Sequence, residues 1–295
     1  MIKTDTLFDK IFNVACYIII FFVVIVTFYP FYDVFVLSIT PREEAVKAGM
    51  HLYTTNPTLE AYIQTLKSSL IKVGFINSVV RILLAVAISV TLTTLAAYPL
   101  TKKNMPFNRS ITLFFLFTMF FNGGMIPTYL LINDLGLIDN IFSLVLPGAV
   151  GAGNLIIMRS FIETLPQSLE DAAKIDGASY FNIWSRVILP LMKPILATIT
   201  LWVAVNHWNA YFDAMIYMHD ITKQPMAVVL RRILVQSILA GISSQVMDEL
   251  RSVSPVTPET TKAAVIMVTT IPIIIVYPFL QKYFAKGIML GAVKG

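Results

Sequence analysis

Four residues near the end of one long apolar run have types and a spacing that suit ligand chemistry: Trp202, Asn206, Asn209 and Asp213. Steps of four, three and four residues put them on one face if the segment is helical throughout. An aromatic ring, two amides and a carboxylate match a sugar, whose ring faces stack on aromatic side chains while its hydroxyls bond to amides and carboxylates. The alternative is a polar seam that joins helices or subunits. Asn77 and Arg81 are four apart near the start of an earlier apolar run. That arginine either snorkels to an interface or belongs to the mouth of a path.

Other chemistry finds no support. There is no G-x-x-x-x-G-K-[ST] phosphate loop, so any ATP must be hydrolysed by another polypeptide. Gly151-Ala152-Gly153 has no strand context and reads as helix packing. No nucleophile and base pattern indicates an enzyme, so no catalytic residues are assigned. His207 sits among apolar and aromatic residues with no second histidine nearby, and no metal site is predicted. The single cysteine, Cys16, lies in the first apolar run and permits no intrachain disulfide.

The elements that must position these residues follow from composition. With 57% hydrophobic and only 13% charged residues, and a mean hydropathy of +0.75, the chain is an all-helical membrane protein. The net charge of +5 belongs to basic residues beside apolar runs, where they set topology, and does not indicate nucleic acid. Apolar windows predict six spans: Val14–Leu37, Phe75–Leu100, Ile111–Ile132, Ile141–Met158, Leu191–Met218 and Ala263–Tyr283. Pro30, Pro127, Pro147 and Pro272 predict kinks. Gly123, Gly124, Gly148, Gly151 and Gly153 are expected to pack helices closely, with Asn122 beside a break.

Lys102, Lys103 and Arg109 after the second span, and Lys282, Lys286 and Lys294 in the tail, have no acid among them and predict the cytoplasmic side. The termini (1–13 and 285–295) and the loop 159–190 are then cytoplasmic, while 38–74 and 219–262 face outward; residues 75–284 form the core. Met226 to Val246 is apolar enough for a seventh span, but Arg231 and Arg232 favour an outer interfacial helix.

The loop carries SLEDAAKIDGASYFNIWSRVILPLMKP, Ser168 to Pro194. Ser168 and Asp171 are spaced for a capping box, and Gly177 for a left-handed helix stop. The pattern Asp171-Ala172-Ala173, Gly177 and Val187-Ile188-Leu189-Pro190 resembles the "EAA" motif of permease subunits of bacterial ATP-binding-cassette (ABC) importers, with Asp171 in place of the usual Glu and Val187 in place of Ile. The resemblance implies a type I importer fold and a coupling helix lodged in a partner ATPase. Ala172, Ala173 and Gly177 become docking surface and hinge, Glu170 or Asp171 a polar anchor, and Pro190 the opening of the next span.

PTYLLINDLGLIDNIFSLVLP and WVAVNHWNAYFDAM resemble spans of the carbohydrate branch, related to maltose permeases. The tail YPFLQKYFAKGIMLGAVKG resembles permeases for oligosaccharides from complex or uronate-containing polysaccharides. The resemblance further implies a bacterial plasma membrane, a second homologous permease, two copies of an ATPase subunit that bind ATP and Mg2+, and an extracytoplasmic sugar-binding protein. No cofactor is expected in this chain. A permease for amino acids or ions, or an ion-coupled secondary carrier, is the rival expectation.

Overall fold

The computed structural model describes residues 7–46, 52–242 and 256–292. Their regular elements are all helical, and they fall into two units: Met1–Ser68 with Arg232–Thr270, and Ser69–Arg231 with Ile271–Gly295.

In the first unit α1 (Leu7–Ser38) is apolar on every side. Ile19, Phe21 and Phe22 are all more than half exposed, as a lipid-facing helix requires. The short α2 (Arg42–Ala45) and α3 (Glu60–Lys67) follow. Glu44 accepts hydrogen bonds from the Thr54 hydroxyl (2.8 Å) and the Thr55 N–H (3.1 Å), and the Ser38 and Tyr62 hydroxyls meet at 2.7 Å.

The second unit is built along α4 (Ser69–Leu100). Its buried face reads Gly74, Ser78, Arg81, Ala85, Ser89, Thr93, Ala97, recurring every third or fourth residue. All but Arg81 are small, which lets neighbouring helices approach closely. A Cβ at Gly74 would lie 3.0 Å from Val229 Cγ2 and 3.4 Å from the Met226 Cα. Next come α5 (Asn108–Phe120), α6 (Met125–Asp134), α7 (Phe142–Val145), α8 (Ala152–Glu163), α9 (Gln167–Ile175) and α10 (Tyr180–Ile183). A π turn (Trp184–Ile188), α11 (Leu189–Leu191), α12 (Lys193–Asn209), α13 (Phe212–Tyr217) and a 3-10 turn (Ile221–Lys223) complete this stretch. The last helices, α14 (Met226–Ile242) and α15 (Pro258–Ala292), each run from one unit into the other. α8 and α12 pack along α4 over a core that includes Ala85, Leu155, Met158, Met192 and Ile199. A smaller cluster joins Ile132, Leu144, Ala214, Tyr217 and Val228.

The expected all-helical fold is observed, while the count of six spans is not confirmed. Among the described residues three helices are long and apolar enough to cross a membrane, or up to five if each of two bent pairs counts as one span. The third window is broken by a 115° bend between α5 and α6, where Gly124 has φ +90 and its N–H donates to Asn122 Oδ1 at 2.9 Å. The fourth window is not one helix, because Pro147 and a left-handed Gly148 (φ +77) separate α7 from α8. At 1.5 Å per residue α8 reaches only about 18 Å, short of the roughly 30 Å of hydrocarbon. Nothing lies within 4 Å of a Cβ built at Gly123, Gly124, Gly148 or Gly153. Among the described residues these four glycines meet no neighbouring helix; Gly124 and Gly148 turn the chain. In the segment 226–246 the helix α14 is observed, and 243–246 lie outside the described residues.

Candidate functional site

α12 ends at Asn209 because Ala210 turns extended (φ −71, ψ 118), and the chain re-enters a helix only at Phe212. Trp202, Asn206 and Asn209 lie on an exposed face of α12, Trp202 being 39% exposed, while Ile199, Leu201 and Val203 are buried. The Asn209 amide donates to the Val205 carbonyl at 2.9 Å. Asp213 belongs to α13, so the four residues do not form one continuous helical face.

Arg81 explains where Asp213 went. Its side chain is 1% exposed. Nε donates to His207 Nδ1 at 3.2 Å, Nη1 donates to the Ala210 carbonyl at 3.0 Å, and Nη2 pairs with the Asp213 carboxylate. The planar five-donor fork of a guanidinium suits this task, since it engages three acceptors around one helix break. Snorkelling is therefore excluded. The signal was in the sequence: Arg81 shares the register of the small residues of α4, so it had to face inward.

Asn77, expected at the path, ties down the adjoining loop. Its amide donates to the carbonyls of Thr222 (2.9 Å) and Gln224 (3.1 Å), and the next residue, Ser78, accepts the Met226 N–H at 2.8 Å. Asp139 Oδ1 accepts the N–H groups of His219 (2.7 Å) and Asp220 (2.8 Å), pinning the same loop to the segment after α6.

At the other end of α4 stands the short helix α9. It begins after Pro166 (φ −60, ψ 123) without a side-chain cap, so Ser168 lies inside the helix and the predicted capping box does not form. Its far end is as expected. Gly177 takes φ +77, its N–H donates to the Lys174 carbonyl (3.0 Å), and the Ala178 N–H donates to the Ala173 carbonyl (2.9 Å). That pair of bonds is a Schellman stop.

Glu170 is 8% exposed and pairs with Lys102, whose ammonium sits 4.3 Å from the Tyr98 ring centroid. The carboxylate is thus used within the chain, joining α9 to the end of α4. Asp171 is exposed and meets Lys174 at 3.3 Å; Ala172 is exposed and Ala173 half-buried. An apolar tip went unnoticed in the sequence: Ile175 is 87% exposed, and Tyr180 and Phe181 are each 64% exposed. Its signal was an isoleucine set between Lys174 and Asp176 on a short polar helix. Pro190 does not open the next span; it is exposed in α11, and α12 starts at Lys193 beyond an 80° bend.

No family model matches the chain. It is 39% identical over 97% of its length to the Bacillus subtilis "Polygalacturonan/rhamnogalacturonan transport system permease protein YtcP", covering 99% of that protein. It belongs to the permease subunits of sugar ABC importers. "Protein LplC" of the same organism is 36% identical over 99% of this chain and 97% of its own. A chain of the "bacterial ABC transporter involved in the import of the acidic polysaccharide alginate" superposes with a TM-score of 0.89 at 32% identity, over 95% of the permease and 99% of that chain. A permease of this family is not itself an enzyme: a partner ATPase hydrolyses ATP, and a second permease and a binding protein complete such systems.

The Gly177 stop makes a graded prediction for the permease. Nothing lies within 4 Å of a Cβ at Gly177, so the cost of substitution is conformational. Asn, which tolerates the left-handed region, should be nearly neutral, Ala should cost about 1 kcal/mol, and Val more. Coupling of ATP hydrolysis to uptake by the assembled importer should fall in the order Gly, Asn, Ala, Val; equal coupling in all four would refute a rigid stop.

Proposed function

We propose that the permease forms, with a second homologous subunit, the translocation path for an oligosaccharide released from a uronate-containing polysaccharide. The observation that carries this reading is the face of α12 that leaves Trp202, Asn206 and Asn209 exposed at the end of an otherwise well-buried helix. Such a face supplies one stacking surface and two amide groups for sugar hydroxyls. The acidic substrate class is supported by the two relatives whose names specify acidic polymers.

Both termini are placed in the cytoplasm, with α9 docking on one of two ATPase subunits that bind ATP and Mg2+. Ala172, the exposed Asp171 and the apolar tip at Ile175 form the docking surface. Closure of the ATPases moves α9, and the Lys102–Glu170 strut passes that movement to α4. About 30 Å along the same helix, Arg81 holds the α12–α13 break beside the exposed face. ATP thereby biases the bundle between inward-open and outward-open states, which requires it to interact differently with each.

The test is uptake of labelled trigalacturonate, with maltotriose as the neutral control, in cells carrying the complete importer. Asn206→Ala with Asn209→Ala should raise KM by about tenfold or more, from two lost hydrogen bonds of roughly 1 kcal/mol each, while the complex still assembles. Unchanged uptake by an assembled complex would remove these residues from the path. Preference for maltotriose would remove the acidic substrate class.

A further inference from the structure

Beside the Lys102–Glu170 strut lies a cavity of about 480 Å3 whose lining includes Leu95, Pro99, Lys102, Tyr180, Phe181 and Trp184. Its lining changes in chemistry along the end of α4. Leu95 and Pro99 belong to the last turns of the apolar helix α4, and Lys102 follows its end, so the wall runs from hydrocarbon-like to cationic over about 10 Å. Lys102 is the one cation in the lining, and the loop that supplies it, with Asn104 and Met105, carries further positive charge just outside the lining at Lys103 and Arg109. Asn108 donates to the carbonyls of Leu100 (2.9 Å) and Lys102 (3.0 Å), folding the loop back so that the next residue, Arg109, stays beside the end of α4. Arg109 and Lys103 are exposed, and neither has an ion-pair partner among the described residues. Trp184 has its indole Nε1 buried without a hydrogen-bond partner. Phe107 is 78% exposed in the left-handed region (φ 57), an unusual conformation for an aromatic residue, and with Tyr180 and Phe181 it adds aromatic surface to this end of the unit.

We propose that this cavity binds an anionic phospholipid of the cytoplasmic leaflet. An acyl chain occupies the apolar part along Leu95 and Pro99. The phosphate is held by Lys103 and Arg109, and the indole N–H of Trp184 donates to an ester or phosphate oxygen. An apolar lining beside a basic loop fits an amphiphile better than a soluble anion, and polybasic segments at a span end attract anionic lipid. Bound there, the lipid braces the α4 end against α10 and the π turn, next to the strut through which α9 acts. The inference rests on the proposed orientation, in which this loop is cytoplasmic.

The purified complete importer, in nanodiscs of phosphatidylcholine mixed equally with phosphatidylglycerol, provides the test by native mass spectrometry. The wild type should retain phosphatidylglycerol selectively. The double variant Lys103→Gln, Arg109→Gln should retain it about thirtyfold less, the effect expected from removing two cations at an anionic surface. Leu95→Trp, which adds bulk to the apolar part of the lining and leaves the charges, should also lose it. Glycerol 3-phosphate should not compete. Equal retention by wild type and variants, competition by glycerol 3-phosphate, or binding seen only after the ATPase subunits are stripped would each overturn the proposal. Co-purification of the ATPase from the same samples reports on the coupling surface separately: lost docking with lipid selectivity intact would sink that reading and leave this one standing.

Discussion

Arg81→Gln is expected to be the most damaging single substitution in the permease. The change leaves the Asp213 carboxylate without its cation and withdraws donors from His207 and from the Ala210 carbonyl, which faces the helix break. Breaking a buried pair by removing one partner costs about 3–5 kcal/mol. The lower end applies, because the Asp213 side chain is 31% exposed and water softens its loss. Thermal denaturation of the purified importer should register the drop, and uptake should fall with it, since the α12 face adjoins the released break. Arg81→Lys should fall between, keeping the charge but not the planar fork. Asp213→Asn should be milder than Arg81→Gln, and the double variant should lose less than the sum of the two. Additive losses would mean that the two side chains act independently.

Glu170→Ala should uncouple transport from ATP hydrolysis by a different route. Glu170 is all but buried and joins α9 to Lys102 at the end of α4. A hydrogen bond to a charged group contributes about 1.5–3 kcal/mol, and its removal also leaves the Lys102 ammonium, 24% exposed, beside Tyr98 without a counter-charge. The ATPase should still co-purify, because Asp171, Ala172 and Ile175 on the exposed side of α9 are untouched. Uptake should fall more than tenfold while ATP hydrolysis becomes independent of substrate. The exchange Lys102→Glu with Glu170→Lys should restore part of the coupling. If Glu170→Ala instead loses the ATPase, the carboxylate touches the partner and the strut is wrong.

The clamp and the strut share one helix. α4 presents small residues along its packed face and one arginine among them, a pattern that makes it close-fitting and stiff. On the coupling route proposed above, movement imposed at Lys102 would pass to Arg81 along this packed helix.

How much of this was legible beforehand depended on the range over which each residue acts. The apolar excess forced helices in lipid, because an unpaired backbone cannot remain in hydrocarbon. The far ends of α1 and α4 fall within one residue of the ends of their apolar windows, while their starts lie seven and six residues earlier. Gly177 announced a left-handed stop, since its conformation is set within one turn of chain. Family membership was equally local, carried by motifs within single loops and spans.

Tertiary structure alone decided which side chains meet. Arg81 finds its acceptors 126, 129 and 132 residues away, and Glu170 finds Lys102 at a separation of 68. It also decided that Asp213 leaves the α12 face at Ala210, and that Pro147 and Gly148 divide the fourth apolar window rather than bend it. Spacing along a chain fixes what lies on one helix face. The partner of a long charged side chain is chosen by whichever helices pack against it, and that choice is made by the whole bundle at once.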